Sequence, residues 1–545
     1  MVTLVIRAIQ LVCATFLLPV SLISGQEAFT GQPVDVLHYR FQLVLSDVSD
    51  EIQGQAEVRI RVLEEGLDEF WLNLVQREED SGTGMEVLAL YLEDVPVAFE
   101  HRGDRLFVFP GSESRLPEEV NLRVVYRGIP RDGLIIGTNK YGDRTFFGDH
   151  WPERARHWLP TVDHPSDKAT VEWLVTAPAR YEVVGTGALM ERRNLDDGSA
   201  FTHWASTKPV ATKVMVMGAA DFAVRETGRL GQVSIQAWVY PQDSLAGFHD
   251  FSQAEDAVRF FQERIGPFPY AKLANVQSKT RYGGMENASN IFYAERAVRG
   301  DGMNEGLIVH EVAHQWFGDS VTEADWTHLW LSEGFATYLT HLYNEAKYGR
   351  ERLVEGMLRD RRTVIRFFQA RPGLALVPRG LSDPNEMLNR NAYQKGSWVL
   401  HMLRRTLGDQ AFWAGIRTYF QEFQDGNAST EDFRRVMQET SGKELAWFFR
   451  QWAHQPGHPV LDYSWRYDAA SGEVVLTLRQ VQPGAPFRFP LDVGVTYPGQ
   501  EKEVIGALEV DGVEATISLP VRGRPEEVIL DPGCWLLFQV TENSG

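Results

Sequence analysis

The segment from His310 to Glu333, HEVAHQWFGDSVTEADWTHLWLSE, restricts the fold of this chain more than any other stretch. A helix turns about 100° per residue, so His310 and His314 lie about 40° apart, one turn along the same face, where both imidazoles reach one metal ion. Glu311 projects from the side of that pair, placed to hold a water on the metal rather than to ligate it. Glu333 stands nineteen positions beyond His314. Gly318 closes the first helix, a loop follows, and WLSEGFATYL starts a second helix near Leu331. Two such helices packed together bring Glu333 opposite the histidines as a third ligand. Two nitrogens and a carboxylate, with one position open, describe a catalytic zinc site better than a structural one. The competing reading is a helix that carries two ordinary histidines. With 14 histidines in the chain, a chance HExxH is expected at roughly a few hundredths of a match, which favours the metal.

The motif sits in the middle of a chain whose texture changes twice. From about Pro33 to Ala223 the pattern is mostly period two, as in HYRFQLVL (38–45) and AEVRIRV (56–62), with turns at GSES (111–114) and LDDGS (195–199). From about Glu226 to Pro456 helical spacing takes over, in segments 252–266, 304–318, 332–349, 392–408 and 429–442. Asn304 is positioned to cap the second of these, and Ser429 with Asp432 makes a capping-box-like start to the last. The basic run RDRRTVIR (359–366) reads as a solvated helix face. Strands return at 473–481, 490–497 and 514–521, as in a small β-sandwich. The expectation is a multidomain α+β protein: a leader at 1–25, an N-terminal β-sheet domain at 26–225, a mostly helical domain at 226–456 and a C-terminal β-sandwich at 457–545.

At 545 residues the chain is too long for one core, and two to four domains are expected. Its net charge of −20 argues against nucleic acid or an anionic membrane as partner. The first 25 residues carry one cation, Arg7, then an apolar run to about Ile23, then small and polar residues. This is the pattern of a secretory signal cleaved near Ser24 or Gly25. The cleavage site lacks an A-x-A pattern, and an uncleaved membrane anchor is the alternative. An exported protein, periplasmic or secreted, is therefore expected. Of the two cysteines, Cys13 falls in this segment, and Cys534 in DPGCWLLF reads as a packed thiol in the last strand.

HEVAHQWFGDSVT followed by W-x-x-LWLSEGFA resembles the gluzincin aminopeptidases, the family of aminopeptidase N and leukotriene hydrolase, in a short bacterial-type form. RYGGMENASN (281–290) contains the family's G-x-M-E-N motif at Gly283, Met285, Glu286 and Asn287, and AYQKG (392–396) matches its Y-x-K-G segment at Tyr393. ARHWLPTVDHPSDKAT (155–170) is similar to the family's stretch at the end of the first β domain. The resemblance covers essentially the whole chain after the leader. It implies a saddle-like N-terminal sheet domain, a thermolysin-like catalytic domain and one Zn2+ per chain, held by His310, His314 and Glu333.

The resemblance also implies an activity: hydrolysis of the N-terminal residue from peptides with a free N-terminus. Glu311 would act as general base and Tyr393 as oxyanion donor. A carboxylate at Glu286 would bind the substrate's α-ammonium, and Gly283 and Gly284, lacking Cβ atoms, would let an extended substrate approach. Where many relatives carry a glutamine shortly before the A-R of the first-domain motif, FGDHWPERAR (147–156) has Asp149, a candidate second carboxylate for the amine, with Trp151 two positions on. The larger relatives' helical C-terminal domain has no counterpart after the small β unit, which leaves the site either open to solvent or covered by a partner subunit. Leukotriene hydrolase's following helices are missing too, which weakens an epoxide-hydrolase reading. An endopeptidase on the same metal scaffold and a non-catalytic peptide-binding protein are the rivals. The oligomeric state and the preferred first residue stay open.

Overall fold

The computed structural model describes residues 32–111, 116–381 and 383–541. The expected leader at 1–25 and most of the GSES turn lie outside the described residues.

Alternation of buried and exposed residues builds the N-terminal half, as in Ile52–Val62. Its main sheet has eight strands, in the order Ala188–Asn194, Ser199–Ala211, Lys168–Pro178, Val34–Val44, Ile52–Val62, Glu119–Ile129, Gly84–Leu92 and Val95–Pro96. Val34–Val44 and Lys168–Pro178 run parallel, Tyr39 facing Val171 and Phe41 facing Trp173. A four-stranded sheet (Leu134–Thr138, Arg144–Gly148, Glu182–Gly185, Met217–Ala220) and a three-stranded one complete this half. The 155–170 stretch therefore lies within the domain rather than at its end, because the strands up to Ala220 follow it.

The middle of the chain is less purely helical than its spacing suggests. It opens with a five-stranded mixed sheet, in the order Ala223–Leu230, Val233–Val239, Lys272–Ser278, Asn290–Ala294 and Gly284–Met285. The strands Lys272–Ser278 and Asn290–Ala294 are buried at every residue, so they carry no period-two signal. The expected helices are present as Ala254–Arg264, Glu305–His314, Trp330–Tyr348, Gly396–Leu407 and Thr430–Ser441. Ser429 and Asp432 form a capping box. Asn304 does not cap with its side chain, which instead donates to the Ala297 carbonyl. The basic run lies on helix Arg350–Ala370. Arg359, Arg362 and Arg366 are exposed, but Arg361 falls on the core face and donates to Asp531 Oδ2 at 2.9 Å and to the Leu536 carbonyl at 2.5 Å.

That arginine ties the helices to the C-terminal sandwich, whose two sheets hold four and three strands between Val460 and Val540. Cys534 is buried there as a free thiol. It sits in the turn after Asp531 with φ +57° rather than in a strand, and its carbonyl accepts from His401 Nε2 at 2.9 Å. No helix among the described residues is long and apolar enough to cross a membrane, which says nothing of a β-barrel.

Candidate active site

Two helices, an edge strand, a π-turn and the loop segments that carry Trp151 and Leu388 converge on one cavity of about 250 Å³, lined by Trp151, Tyr282–Glu286, Leu307, His310, Glu311, His314, Glu333, Leu388 and Tyr393. Helix Glu305–His314 presents both histidines. Their Nε2 atoms stand 3.2 Å apart, and each is 3.3 Å from Glu333 Oε2 on helix Trp330–Tyr348. A tetrahedral zinc with ligands at about 2.0–2.1 Å holds its ligand atoms about 3.3–3.4 Å from one another, so this triangle fits that ion. Glu333 Oε2 is buried and has no hydrogen-bond partner, which leaves it free to ligate. His314 Nδ1 lies 3.2 Å from the Phe317 carbonyl and 3.1 Å from Ser332 Oγ. A proton on Nδ1 leaves Nε2 unprotonated for a metal. Gly318 makes room for this pair: with φ +127°, a Cβ there would fall 2.4 Å from Ser332 Oγ and 2.9 Å from His314 Nδ1.

The site is strongly acidic. Glu286 and Glu311 each place a carboxylate oxygen within 4.8 Å of a His314 ring nitrogen and of one another. Burial pulls the His314 imidazole down, but the charges of Glu286 and Glu333 outweigh it and push it up to about 10. Burial drives the Glu311 carboxyl well above the usual carboxylate range. For Glu333 burial acts in the same direction, but the two imidazoles overcome it and hold its carboxyl well below that range. A concentration of carboxylates beside two imidazoles suits a divalent cation.

Tyr393 reaches this group from a π-turn, Asn391–Lys395, which leads into the helix Gly396–Leu407. Such turns re-aim side chains at functional sites. Its hydroxyl donates to Glu333 Oε1 at 2.8 Å, and its ring stacks on His310 at 6.0 Å. The other expected residues divide. Met285 and Gly284 form an edge strand paired with Asn290–Ala294, and Glu286 follows directly. The bare Cα of Gly284, which lines the cavity, faces Glu311, since a Cβ there would lie 2.5 Å from Glu311 Oε1, so the missing side chain makes room for the acid. The side facing away from the backbone at Gly283 is open apart from Leu307 at 3.8 Å. Asn287 is fully buried and does not line the cavity.

Asp149 does not reach the cavity either. It is 1% exposed, accepts from Arg154 Nη2 at 2.8 Å, and has Arg281 Nε at 3.8 Å. Its charge is compensated internally by two arginines, and Trp151, two residues on, faces the cavity instead. Trp151 packs edge-on against Tyr282 and Trp326, at 5.9 and 5.6 Å. Sequence reasoning missed Tyr282, Leu307, Leu388, Ser332 and Gln315. Gln315 was the most accessible of these, as a polar residue between Ala313 and the apolar Trp316 and Phe317.

Comparison with known proteins identifies the family. Residues 36–214 match the peptidase M1 N-terminal domain and residues 250–452 the peptidase family M1 domain. Glutamyl aminopeptidase of Bitis rhinoceros is 24% identical over 449 residues, covering 78% of this chain and 47% of that protein. Leucyl aminopeptidase of Saccharolobus solfataricus is 23% identical over 418 residues, covering 72% and 52%. The chain spans about half the length of the curated relatives it matches. The crystal structure of Legionella pneumophila aminopeptidase A in complex with aspartic acid shares the fold, with a TM-score of 0.79 at 17% identity over 94% of this chain and 60% of that one. The N-terminal β half and the region holding the site are each matched by a domain of one family, and the chain belongs to peptidase family M1.

Proposed function

We propose that this chain is a zinc-dependent aminopeptidase that removes the first residue from peptides with a free N-terminus, with one zinc per chain. The observation that carries this reading is the position of Glu286, a second buried carboxylate within 4.8 Å of the His314 ring and the Glu311 carboxylate. A zinc ion held by His310, His314 and Glu333 would polarise the scissile carbonyl and lower the pKa of water from 15.7 to about 7. Glu311 takes the proton from the attacking water and returns it to the leaving amine. The Tyr393 hydroxyl donates to the carbonyl oxygen as charge develops there. Glu286 pairs with the α-ammonium, which is cationic below about pH 7.7–8.0, and so sets the register at the first peptide bond.

The cavity walls bear on substrate choice. Among the described residues, Glu286, Glu311 and Glu333 are its only charged lining side chains apart from the histidines, and the rest of the lining is mostly Trp151, Tyr282, Met285, Leu307, Leu388 and Tyr393. A first residue that is acidic, as the name of the Bitis relative implies for that enzyme, finds no lysine or arginine there. We therefore read the substrate as one that begins with an apolar side chain.

Aminoacyl-fluorophore amides test the whole reading, with N-acetylated counterparts as controls and Glu311→Gln beside the wild type. Free-amine substrates are cleaved and acetylated ones are not, and Glu311→Gln loses nearly all turnover while retaining zinc. Equal cleavage of acetylated substrates would favour the endopeptidase rival. A zinc-free sample without turnover would favour the binding-protein rival. Export through the leader at 1–25 belongs to the same reading, and the N-terminal residue of the mature protein tests it.

A further inference from the structure

We infer that Gln315 is a positioning residue that carries the exopeptidase anchor: its side-chain amide fixes the turn bearing Glu286 to the metal-binding helix. This rests on the reading of Glu286 as the anchor for the substrate's amine.

Gln315 follows His314 directly and is fully buried. Its Oε1 accepts from the Ser289 backbone N–H at 2.8 Å. Its Nε2 donates to the Glu286 carbonyl at 2.7 Å and to Asp319 Oδ2 at 2.8 Å. Both N–H donors of the amide are thus used, and the oxygen has its partner. One main-chain partner is the residue before a tight turn, 287–290, and the other is the third residue of that turn, which Asn290 N–H closes on the Asn287 carbonyl at 2.9 Å. Ser289 adopts φ +64° within it, a left-handed conformation that residues other than glycine rarely hold without support. A single side chain therefore closes the turn from inside and joins it to the residue next to a metal ligand.

The opposite side of the turn rests on the N-terminal domain. Ala288 N–H donates to the Val214 carbonyl at 3.0 Å, and Gly187 N–H donates to Ser289 Oγ at 3.0 Å. Lys272, buried beneath, donates to the Ser289 carbonyl at 3.3 Å and to Asn290 Oδ1. These contacts fix the turn to the domain junction. Among the described residues, Gln315 supplies the hydrogen bonds that join it to the end of the helix carrying His310, Glu311 and His314. With the Glu286, Glu311 and His314 ligand atoms gathered within 4.8 Å, a small displacement of the turn misplaces the amine relative to the reacting carbonyl, and catalysis is sensitive to such shifts.

The test compares wild type, Glu286→Gln and Gln315→Met as zinc-loaded proteins. The measurements are zinc content, melting temperature, KM and kcat on free-amine and N-acetylated aminoacyl amides, and hydrogen exchange of the peptide containing Ser289. Gln315→Met keeps its zinc, exchanges faster at Ser289, and loses roughly ten- to a hundred-fold in kcat/KM on free-amine substrates. Most of that loss is in KM, and the preference over acetylated substrates falls with it. A Gln315→Met protein with full zinc and an unchanged free-amine KM and preference overturns the inference. If Gln315→Met does not fold, Gln315→Glu carries the same comparison with the same criteria, because it preserves shape and the Ser289 bond while losing the donors to Glu286 and Asp319. The underlying reading fails separately, if Glu286→Gln leaves the free-amine preference intact.

Discussion

Gly334 and Gly396 touch backbone to backbone: a Cβ on either would stand 2.9 Å from the other's Cα. This is where helix Trp330–Tyr348 meets the start of helix Gly396–Leu407. Glu333 is one residue before the first glycine, and Tyr393 is three before the second. The closeness of the helices is what lets the Tyr393 hydroxyl reach Glu333 Oε1 at 2.8 Å.

Gly334→Ala is therefore expected to separate Glu333 from Tyr393. In a helix, alanine is intrinsically better than glycine by about 1 kcal/mol. Here the methyl group meets main chain, which cannot rotate away, and overpacking of that kind costs about 1–3 kcal/mol. Denaturant unfolding should show a net loss of stability, and zinc titration a weakened affinity. A stabilised variant with unchanged zinc binding would mean that the helices part without disturbing Glu333.

Gly284→Ala acts on the other wall of the cavity. The added Cβ would lie 2.5 Å from Glu311 Oε1 and 2.6 Å from its Cδ and Cγ. A side chain can move where main chain cannot, so the variant folds and Glu311 is displaced. For the general base proposed here, misplacement typically costs about 10²–10⁴ in rate. Steady-state kinetics should show the loss in kcat, with KM much less affected and zinc content at wild-type level. Loss of zinc in this variant would contradict the assignment.

Much of this arrangement was legible in the sequence, and the exceptions share a cause. The histidine helix, the helix of Glu333 and the Ser429 capping box are local, and spacing alone specifies them. The Lys272–Ser278 strand was missed because burial on both faces removes the alternation that marks a strand. Asp149 and Trp151 are two residues apart, and Asp149 turns to Arg154 and Arg281 while Trp151 faces the cavity. The Gly334–Gly396 contact and the Gln315 hydrogen bonds depend equally on partners distant in the chain, which local periodicity does not reveal.

Trp151 forms an aromatic wall of the cavity. Trp151→Phe keeps a ring at that position but shortens it, enlarging the space for a substrate side chain. The ratio of kcat/KM for phenylalanyl over alanyl substrates should rise, by a few-fold to about tenfold, the range expected when a pocket changes by about a methylene or two. A profile of aminoacyl amides measures it directly. An unchanged ratio would mean that the first side chain lies against a different wall.

Lys395, two residues after Tyr393, is 2% exposed, and its one hydrogen bond among the described residues is a long one, 3.4 Å to the Gln455 carbonyl. Burial lowers its ammonium from 10.5 to about 7. Below about pH 7 both the folded and the unfolded chain hold the proton, and the folded state bears the cost of a buried charge. Between about pH 7 and 10.5 the unfolded chain still holds it while the folded protein has released it, so the unfolded state binds more protons and stability rises with pH across that window. At about 1.4 kcal/mol per pKa unit the effect reaches several kcal/mol. Neighbouring His458, which burial and the Lys395 charge push down to about 4, does not titrate in this range. Lys395→Met removes the charge at nearly constant length. The variant should therefore be more stable than wild type by the largest margin at pH 6.5, with a margin that shrinks steadily toward pH 10. Comparing denaturant midpoints at several pH values isolates this residue, since the other buried lysines contribute equally to both proteins. A margin that stays constant from pH 6.5 to 10 would mean that Lys395 remains charged in the folded protein throughout.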